Sequence, residues 1–366
     1  MADPDPGTTL GVEEEFHLVD PDRRVLVPAA LDVVAAASKL GVEVDPEFQR
    51  TSIETATAVC RSLGEVRQQL VARRRDAAAA AGEVGAALMA CGTVPMPGAA
   101  AHPVYPDDRY YWMAGEFGRV AAEHQICSCQ VQVGIADREV AVGVLNRVRR
   151  WLPVLLALTA SSPYWDGRDT SFASYRTMLW TRWPTAGPTG AFASAEEYAR
   201  VVQALQGTGT ARDAGMMYFD VRLSHRYPTV EIRVSDACPR IDDAVLLAGL
   251  GRALVTTAAR ETVMHGPVDD TRVELLRSAT WRAARSGLGG ELVDPVTWSA
   301  RPAAEVVGTL LDHLSGALHD SGDDREVSDL LAAVLAGGTS AQRQRGVFAR
   351  GSAADVVDHL LAETAG

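Results

Sequence analysis

The stretch Cys127-Ser128-Cys129-Gln130-Val131-Gln132-Val133-Gly134-Ile135 decides how this chain reads. Cys127, Cys129, Val131, Val133 and Ile135 recur at every second position, and Ser128, Gln130, Gln132 and Gly134 fill the positions between. A period of two marks a strand with one apolar and one polar face. Its register is strongly specified, because a slip of one residue would bury both glutamine amides.

Working outward, the alternation returns at 216–223, where Met217, Phe219, Val221 and Leu223 oppose Tyr218, Asp220 and Arg222. It returns again at 229–235, with Val230, Ile232 and Val234 against Thr229, Glu231, Arg233 and Ser235. In 11–19, Val12, Phe16 and Leu18 oppose Glu13, Glu15 and His17, and Glu14 breaks the pattern on the apolar side. The signal is faintest at 51–59, where Glu54 falls on the side of Ser52 and Ala56. Alanine-rich segments at 29–40, 62–90, 138–160, 241–264, 302–318, 323–336 and 352–364 read as helices. Pro184, Gly187, Pro188 and Gly190 make 181–193 a loop and a candidate lid. With no internal repeat and no long linker, residues 1–366 are expected to form one domain. The expected fold is α+β: a sheet with one polar face, its apolar face covered by helices, and a helical C-terminal third.

The polar face would gather Glu13, Glu15, Glu54, Gln130, Gln132, Asp220, Arg222, Glu231 and Arg233. For any one strand, a solvated surface is explanation enough. Surface strands, however, usually carry threonine, serine and lysine, whereas these carry carboxylates, amides and arginines. Taken together they describe a floor that binds cations and anions. Glu13 and Glu15 would stand roughly 7 Å apart on one side of a strand and repel each other unless a cation lies between them. All-oxygen donors suit magnesium or manganese. In Asp220–Arg222 and Glu231–Arg233 an acid neighbours a guanidinium. Each pair is either a cross-strand salt bridge or a metal carboxylate beside an arginine that forks a phosphate or carboxylate.

Other classes are disfavoured. The net charge of −12 argues against nucleic acid as partner. It leaves room for ATP, since a bound divalent cation reverses the local sign. The most apolar run, Trp151 to Ala160, is about half of what a membrane span needs. No basic segment followed by an apolar stretch opens the chain, so no secretory signal is expected. Five scattered cysteines suggest reduced thiols and a cytoplasmic protein. Cys127-x-Cys129 lacks a second pair, so zinc is not expected. His102, His124 and His225 read as loop or surface residues. Neither a G-x-x-x-x-G-K-[ST] loop, a G-x-G-x-x-G fingerprint nor a G-x-S-x-G elbow occurs. Gln342-Arg343-Gln344-Arg345 is either a solvated helix face or a pair of arginines that approach a nucleotide.

Several ordered segments resemble the carboxylate–amine ligases of the type 2 glutamate–cysteine ligase family. They are Thr9 to Phe16 (TLGVEEEF), Ile53-Glu54-Thr55, Arg109-Tyr110, Ala157 to Gly167 (ALTASSPYWDG) and Asp220-Val221-Arg222. Tyr227 to Val234 (YPTVEIRV), Asp236-Ala237, Trp281 to Arg285 and Ala341 to Arg345 follow. The resemblance implies a funnel-like antiparallel sheet, as in glutamine synthetase and the guanido kinases. It also implies ATP and Mg²⁺ (or Mn²⁺) as cofactors, an acyl-phosphate route to an amide, and small amino-acid and amine substrates. Carried over, Glu13, Glu15, Glu54 and Glu231 become metal carboxylates, with Gln130 beside them. Glu54 and Arg233 become catalytic, and Arg222, Arg343 and Arg345 become nucleotide contacts. A homodimer is the oligomeric expectation. One departure stands out: where the family usually has His-Val-His-Val-Gly, this chain has Gln130-Val131-Gln132-Val133-Gly134. An amide can ligate magnesium but cannot carry a proton near neutral pH. The resemblance implies weak glutamate–cysteine ligase activity giving γ-glutamylcysteine. The alternatives are a catalytically altered relative that binds nucleotide or a partner, and a guanido kinase-like phosphotransferase.

Overall fold

A computed structural model describes residues 7–96, 102–264, 266 and 268–366. The alternating segments do form strands. In chain order these are β1 (Leu10–Asp20), β2 (Val25–Leu26), β3 (Asp45–Pro46), β4 (Ser52–Ala56), β5 (Ala87–Met89) and β6 (Cys129–Gly134). After a separate ribbon, β7 (Tyr164–Trp165) with β8 (Arg168–Asp169), come β9 (Val221–Leu223) and β10 (Thr229–Ile232). The main sheet runs β3-β4-β1-β6-β10-β9, with β2 and β5 also paired to β1. Each of these pairings is antiparallel.

Helices cover the apolar face. The first two are α1 (Ala30–Leu40) and α2 (Leu63–Gly82), followed by α3 (Asp108–Phe117), α4 (Arg119–Ala122), α5 (Arg138–Val148) and α6 (Leu152–Thr159). Next are α7 (Tyr175–Trp180) and α8 (Ala195–Gly207), and then α9 (Ile241–Val263), α10 (Val273–Ser286), α11 (Ala303–Ser321), α12 (Asp324–Gly337), α13 (Ser340–Phe348) and α14 (Ala353–Ala365). The helical C-terminal third is present, interrupted by a small unanticipated hairpin at Glu291–Val293 and Ala300–Pro302. Helix α9 is the central prop. Gly251 lets it close on the sheet, since a Cβ there would sit 3.3 Å from Ile232 and Val131.

Glu14, the residue out of pattern, points into the helix-covered face at 2% exposure. Arg74 from α2 reaches it with Nε and Nη2 at 3.0 and 2.6 Å, so a bidentate ion pair replaces the expected apolar contact.

Three expectations need correction. Segment 62–90 is not one helix: α2 ends at Gly82, Gly85 turns the chain with φ +74, and Ala87–Met89 joins β1. Strand 216–223 shortens to Val221–Leu223, because Arg222 draws the preceding turn inward by donating to the Gly215 and Met217 carbonyls. The loop 181–193 is a pinned wall rather than a lid. Trp183 is 2% exposed, Asn146 bonds both the N–H and the C=O of Phe192, and Arg149 holds the Thr189 carbonyl. Among the described residues no helix is long and apolar enough to cross a membrane.

Candidate active site

The polar face of the sheet floors a cleft of about 750 Å³. Antiparallel register sets its charges side by side: Glu15 faces Glu54, Glu13 faces Gln130, and Glu231 lies between Gln132 and Arg222. Like charges directly opposite each other destabilise a sheet. The Glu15–Glu54 pairing is therefore a cost borne at this site.

The glutamates are not equivalent. Glu231 is clamped by Arg222 through two bonds of 2.9 Å and by Arg233. Burial alone would raise its pKa, but the Arg233 and Arg222 charges win and hold it near 2. Glu15 is tied by the Ser128 N–H and hydroxyl at 2.7 and 2.8 Å and by the Gln130 amide at 3.0 Å. Glu13 receives one bond, from Gln132 at 3.2 Å, and burial together with Glu231 raises its pKa. Glu54 is pushed well up by burial and then by Glu13, Glu47 and Glu15. Glu47 is lifted to about 7 by burial and by Glu15. Glu13, Glu47 and Glu54 thus share one region in which burial and mutual repulsion outweigh the pull of Arg233, Arg222 and Arg109.

The sequence reading missed Glu47. It stands just past the two-residue strand β3, where no alternation can develop. Asp45 and Glu47 do repeat the i, i+2 acidic spacing of Glu13 and Glu15, and that was the available signal. Arg176 and Trp180, four residues apart on α7, were also missed, since six residues show no usable period. His124 lies in the loop before β6, as expected, but not on the free surface. It lines the cleft, accepts a 3.0 Å bond from the Trp183 indole, and is pushed down to about 3 by burial and by Arg176.

Of the remaining expected residues, both glutamines line the cleft. Gln130 directs its carbonyl to Arg233 and its amide to Glu15, so that oxygen is engaged by a guanidinium and not by the open cleft. Gln132 bridges Glu13 and Thr229 in the same way. Arg222 lines the cleft but gives its donors to Glu231 and two carbonyls. Arg343 and Arg345 lie outside it. Arg343 pairs with Glu363 and Asp243, and Arg345 with Asp169. Asp220 is buried behind the lining residues, and burial lifts it to about 7 against the pull of Arg176.

One end of the cleft is closed by Phe48, Tyr110, Trp180, Trp183 and Tyr218 around Arg109, Arg176 and Arg233. Trp180 lies beneath two guanidiniums, Arg176 at 5.5 Å and Arg233 at 5.8 Å. Arg176 Nε, Arg233 Nε and Trp180 Nε1 are buried donors without a hydrogen-bond partner. Buried donors are normally satisfied, and these three belong to residues that line the cleft, whose arginines suit this end to an anion. The other end opens past the exposed residues Val59, His225, Arg226 and Tyr227.

The fold is shared by solved ligases. The structure superposes on a glutamate–cysteine ligase from Francisella tularensis in complex with AMP, with a TM-score of 0.68 at 11% identity, covering 98% of this chain and 89% of that one. It also superposes on a bifunctional glutathione synthetase from Pasteurella multocida, with a TM-score of 0.71 at 15% identity, covering 98% of this chain and 52% of that one. Identities this low speak for the fold alone. Sequence carries the assignment further. The description of glutamate–cysteine ligase family 2 matches residues 9–359. A relative from Frankia alni, named "Putative glutamate--cysteine ligase 2-2", is 47% identical over 97% of both chains. Another, from Streptomyces avermitilis, is 43% identical over 98% of this chain and 99% of its own. The chain belongs to glutamate–cysteine ligase family 2, and it is a ligase that forms C–N bonds.

Proposed function

We propose that this ligase uses ATP and a divalent cation to activate a carboxylate as an acyl phosphate, which an amine then converts to an amide. L-Glutamate and L-cysteine are the proposed pair, joined weakly, and residues 1–366 act as one catalytic unit. The observation that carries the reading is the opposition, within one cleft, of under-compensated carboxylates to unsatisfied guanidinium and indole donors.

Among the described residues no three His, Cys, Asp or Glu side chains already form a group that could hold a metal ion. The donor chemistry nonetheless fits Mg²⁺ or Mn²⁺. Glu13, Glu47 and Glu54 offer only oxygen, and burial first and neighbouring carboxylates second raise their pKa values, a cost to the ionised forms that a bound cation would offset. These three would hold the cation, with Glu15 behind them. Bound there, Mg·ATP would supply the phosphoryl group and neutralise the charge that develops during its transfer.

The chain's own residues do the rest. Glu231 acts as the anchor that keeps Arg222 and Arg233 in place, in preference to the metal-ligand role first expected of it. Arg233, which lines the cleft, would face the charge spread over the transferring group. Glu54 stands at the junction of carboxylates and phosphate. Arg176 and Arg109 receive a substrate carboxylate, and the aromatic walls keep water from the acyl phosphate. The nucleotide enters from the open end. Arg343 and Arg345 are withdrawn from the nucleotide contacts, because their ion pairs hold them elsewhere.

The test is ADP release by the purified chain. Release is expected only when Mg²⁺, ATP, glutamate and an amine are all present, and it should stop with chelator. ADP release that ignores the amine would favour simple phosphotransfer and count against ligation. Undiminished ATP affinity in chelator would remove the metal from the scheme.

A further inference from the structure

Three of the segments that matched the family, Ala157 to Gly167, Asp236-Ala237 and Ala341 to Arg345, place no side chain in the cleft. They meet behind it. Gln344 bonds the Ser161 carbonyl at 2.9 Å, the Ala341 N–H bonds the Ala160 carbonyl at 2.9 Å, and the Ser161 N–H bonds Asp236 at 2.8 Å. Asp236 has no solvent exposure. Even its backdrop is fitted, since a Cβ on Gly92 would lie 2.6 Å from its carboxyl carbon.

Asp236 spends its oxygens on two hydroxyls. Ser162 donates to Oδ2 at 2.7 Å and Ser174 to Oδ1 at 2.8 Å. A hydroxyl has one proton and two lone pairs. With both protons committed to the carboxylate, both serines present lone pairs to α7. Ser162 accepts the Arg176 N–H at 3.0 Å, and Ser174, the N-cap, accepts the Thr177 N–H at 3.4 Å. These are N–H groups of the first turn, which have no partner inside the helix. The same carboxylate lies 3.9 Å from Arg176 Nη1, while Arg176 also donates to the Val234 and Arg233 carbonyls at 3.3 and 3.4 Å. Helix α7 is the element that carries Arg176 and Trp180 to the closed end of the cleft.

We propose that Asp236 is a positioning residue for the amino-acid end of the cleft: it fixes the hydroxyl protons of Ser162 and Ser174 and so sets α7, and through α7 it sets Arg176 and Trp180. The inference rests on the reading above, in which Arg176 receives a substrate carboxylate.

Asp236→Asn keeps the shape but turns one acceptor into a donor facing a serine hydroxyl. Initial rates of ADP release would be measured with ATP, L-glutamate and L-cysteine varied in turn. The variant should raise the KM of one amino acid about tenfold while kcat and the KM of ATP change less than about twofold. Added to Arg176→Ala, it should change nothing further. Ser174→Ala, a gentler disturbance, should raise the same KM by less, and it serves as the test if Asp236→Asn fails to fold. Unchanged KM values in folded variants, a fall confined to kcat, or additivity with Arg176→Ala would overturn the inference. If Arg176→Ala raises an amino-acid KM while Asp236→Asn and Ser174→Ala do not, the reading of the cleft stands and the role of Asp236 fails. If Arg176→Ala leaves both amino-acid KM values unchanged, the reading falls and takes the inference with it.

Discussion

Glu54 and Glu231 are both cleft glutamates, the first half-buried and the second buried, yet they should answer oppositely to the same substitution. Glu231→Gln leaves Arg222 and Arg233 without their carboxylate, and losing one partner of a buried ionic group costs about 3–5 kcal/mol. Glu54→Gln removes a carboxyl whose ionised form is opposed by burial and by Glu13, Glu47 and Glu15. Without metal, its stability is expected to equal or exceed that of the parent, although activity is lost. Urea unfolding in chelator checks both, and a Glu54→Gln protein as unstable as Glu231→Gln would make Glu54 structural. This difference was not legible in the sequence. Alternation placed Glu13, Glu15, Glu54 and Glu231 on one face, but only cross-strand partners decide which of them is clamped and which is free. The two glutamines show the same limit. Pattern put them on the floor, and the structure shows each using both ends of its amide, one to soften a carboxylate and one to accept from Arg233 or Thr229.

For the elements, the Glu14–Arg74 pair joins β1 to α2 and sets the testable difference between losing one partner and losing both. Arg74→Met strands a carboxylate at 2% exposure and should cost about 3–5 kcal/mol. Glu14→Leu combined with Arg74→Met should recover much of that loss, the remainder reflecting the Pro239 and Cys238 carbonyls that Arg74 also binds. A double variant as unstable as Arg74→Met alone would contradict this. Strand existence and facing were readable in β1, β6 and β10. They failed where tertiary contacts override period, as before β9, where Arg222 bends its own strand entry. The lid expectation failed because glycine and proline report a turn but do not report that Trp183, just before Pro184, is buried.

Across the whole molecule, the carboxylate floor makes stability depend on pH. Glu47, near 7, and Glu54, well raised, bind protons more tightly folded than unfolded, where 4.5 is usual. Their contribution is therefore complete below about pH 4.5 and is lost as pH rises through the folded values. Metal-free protein should lose on the order of 1–2 kcal/mol between pH 5 and 8 after solvent screening. Mg²⁺, which needs the ionised form, should restore stability over that window, and Glu47→Gln should flatten the metal-free slope. Thermal melts across pH, with and without Mg²⁺, decide it. A metal-free protein that gains stability toward pH 8 would reverse the assignment.

Thr364, on α14, takes part in the sheet's support far from it in sequence. Its hydroxyl accepts the Ala90 N–H at 3.0 Å, and its carbonyl lies 3.5 Å from Arg74. A nascent chain ending at Ser352 already contains every residue that lines the cleft, yet Ala90 and Arg74 still lack these partners. Emergence of α14 from the ribosome thus sets the moment at which the cleft floor is fully braced, and until then the growing chain offers the cell's chaperones and proteases a finished set of cleft residues on an unfinished foundation.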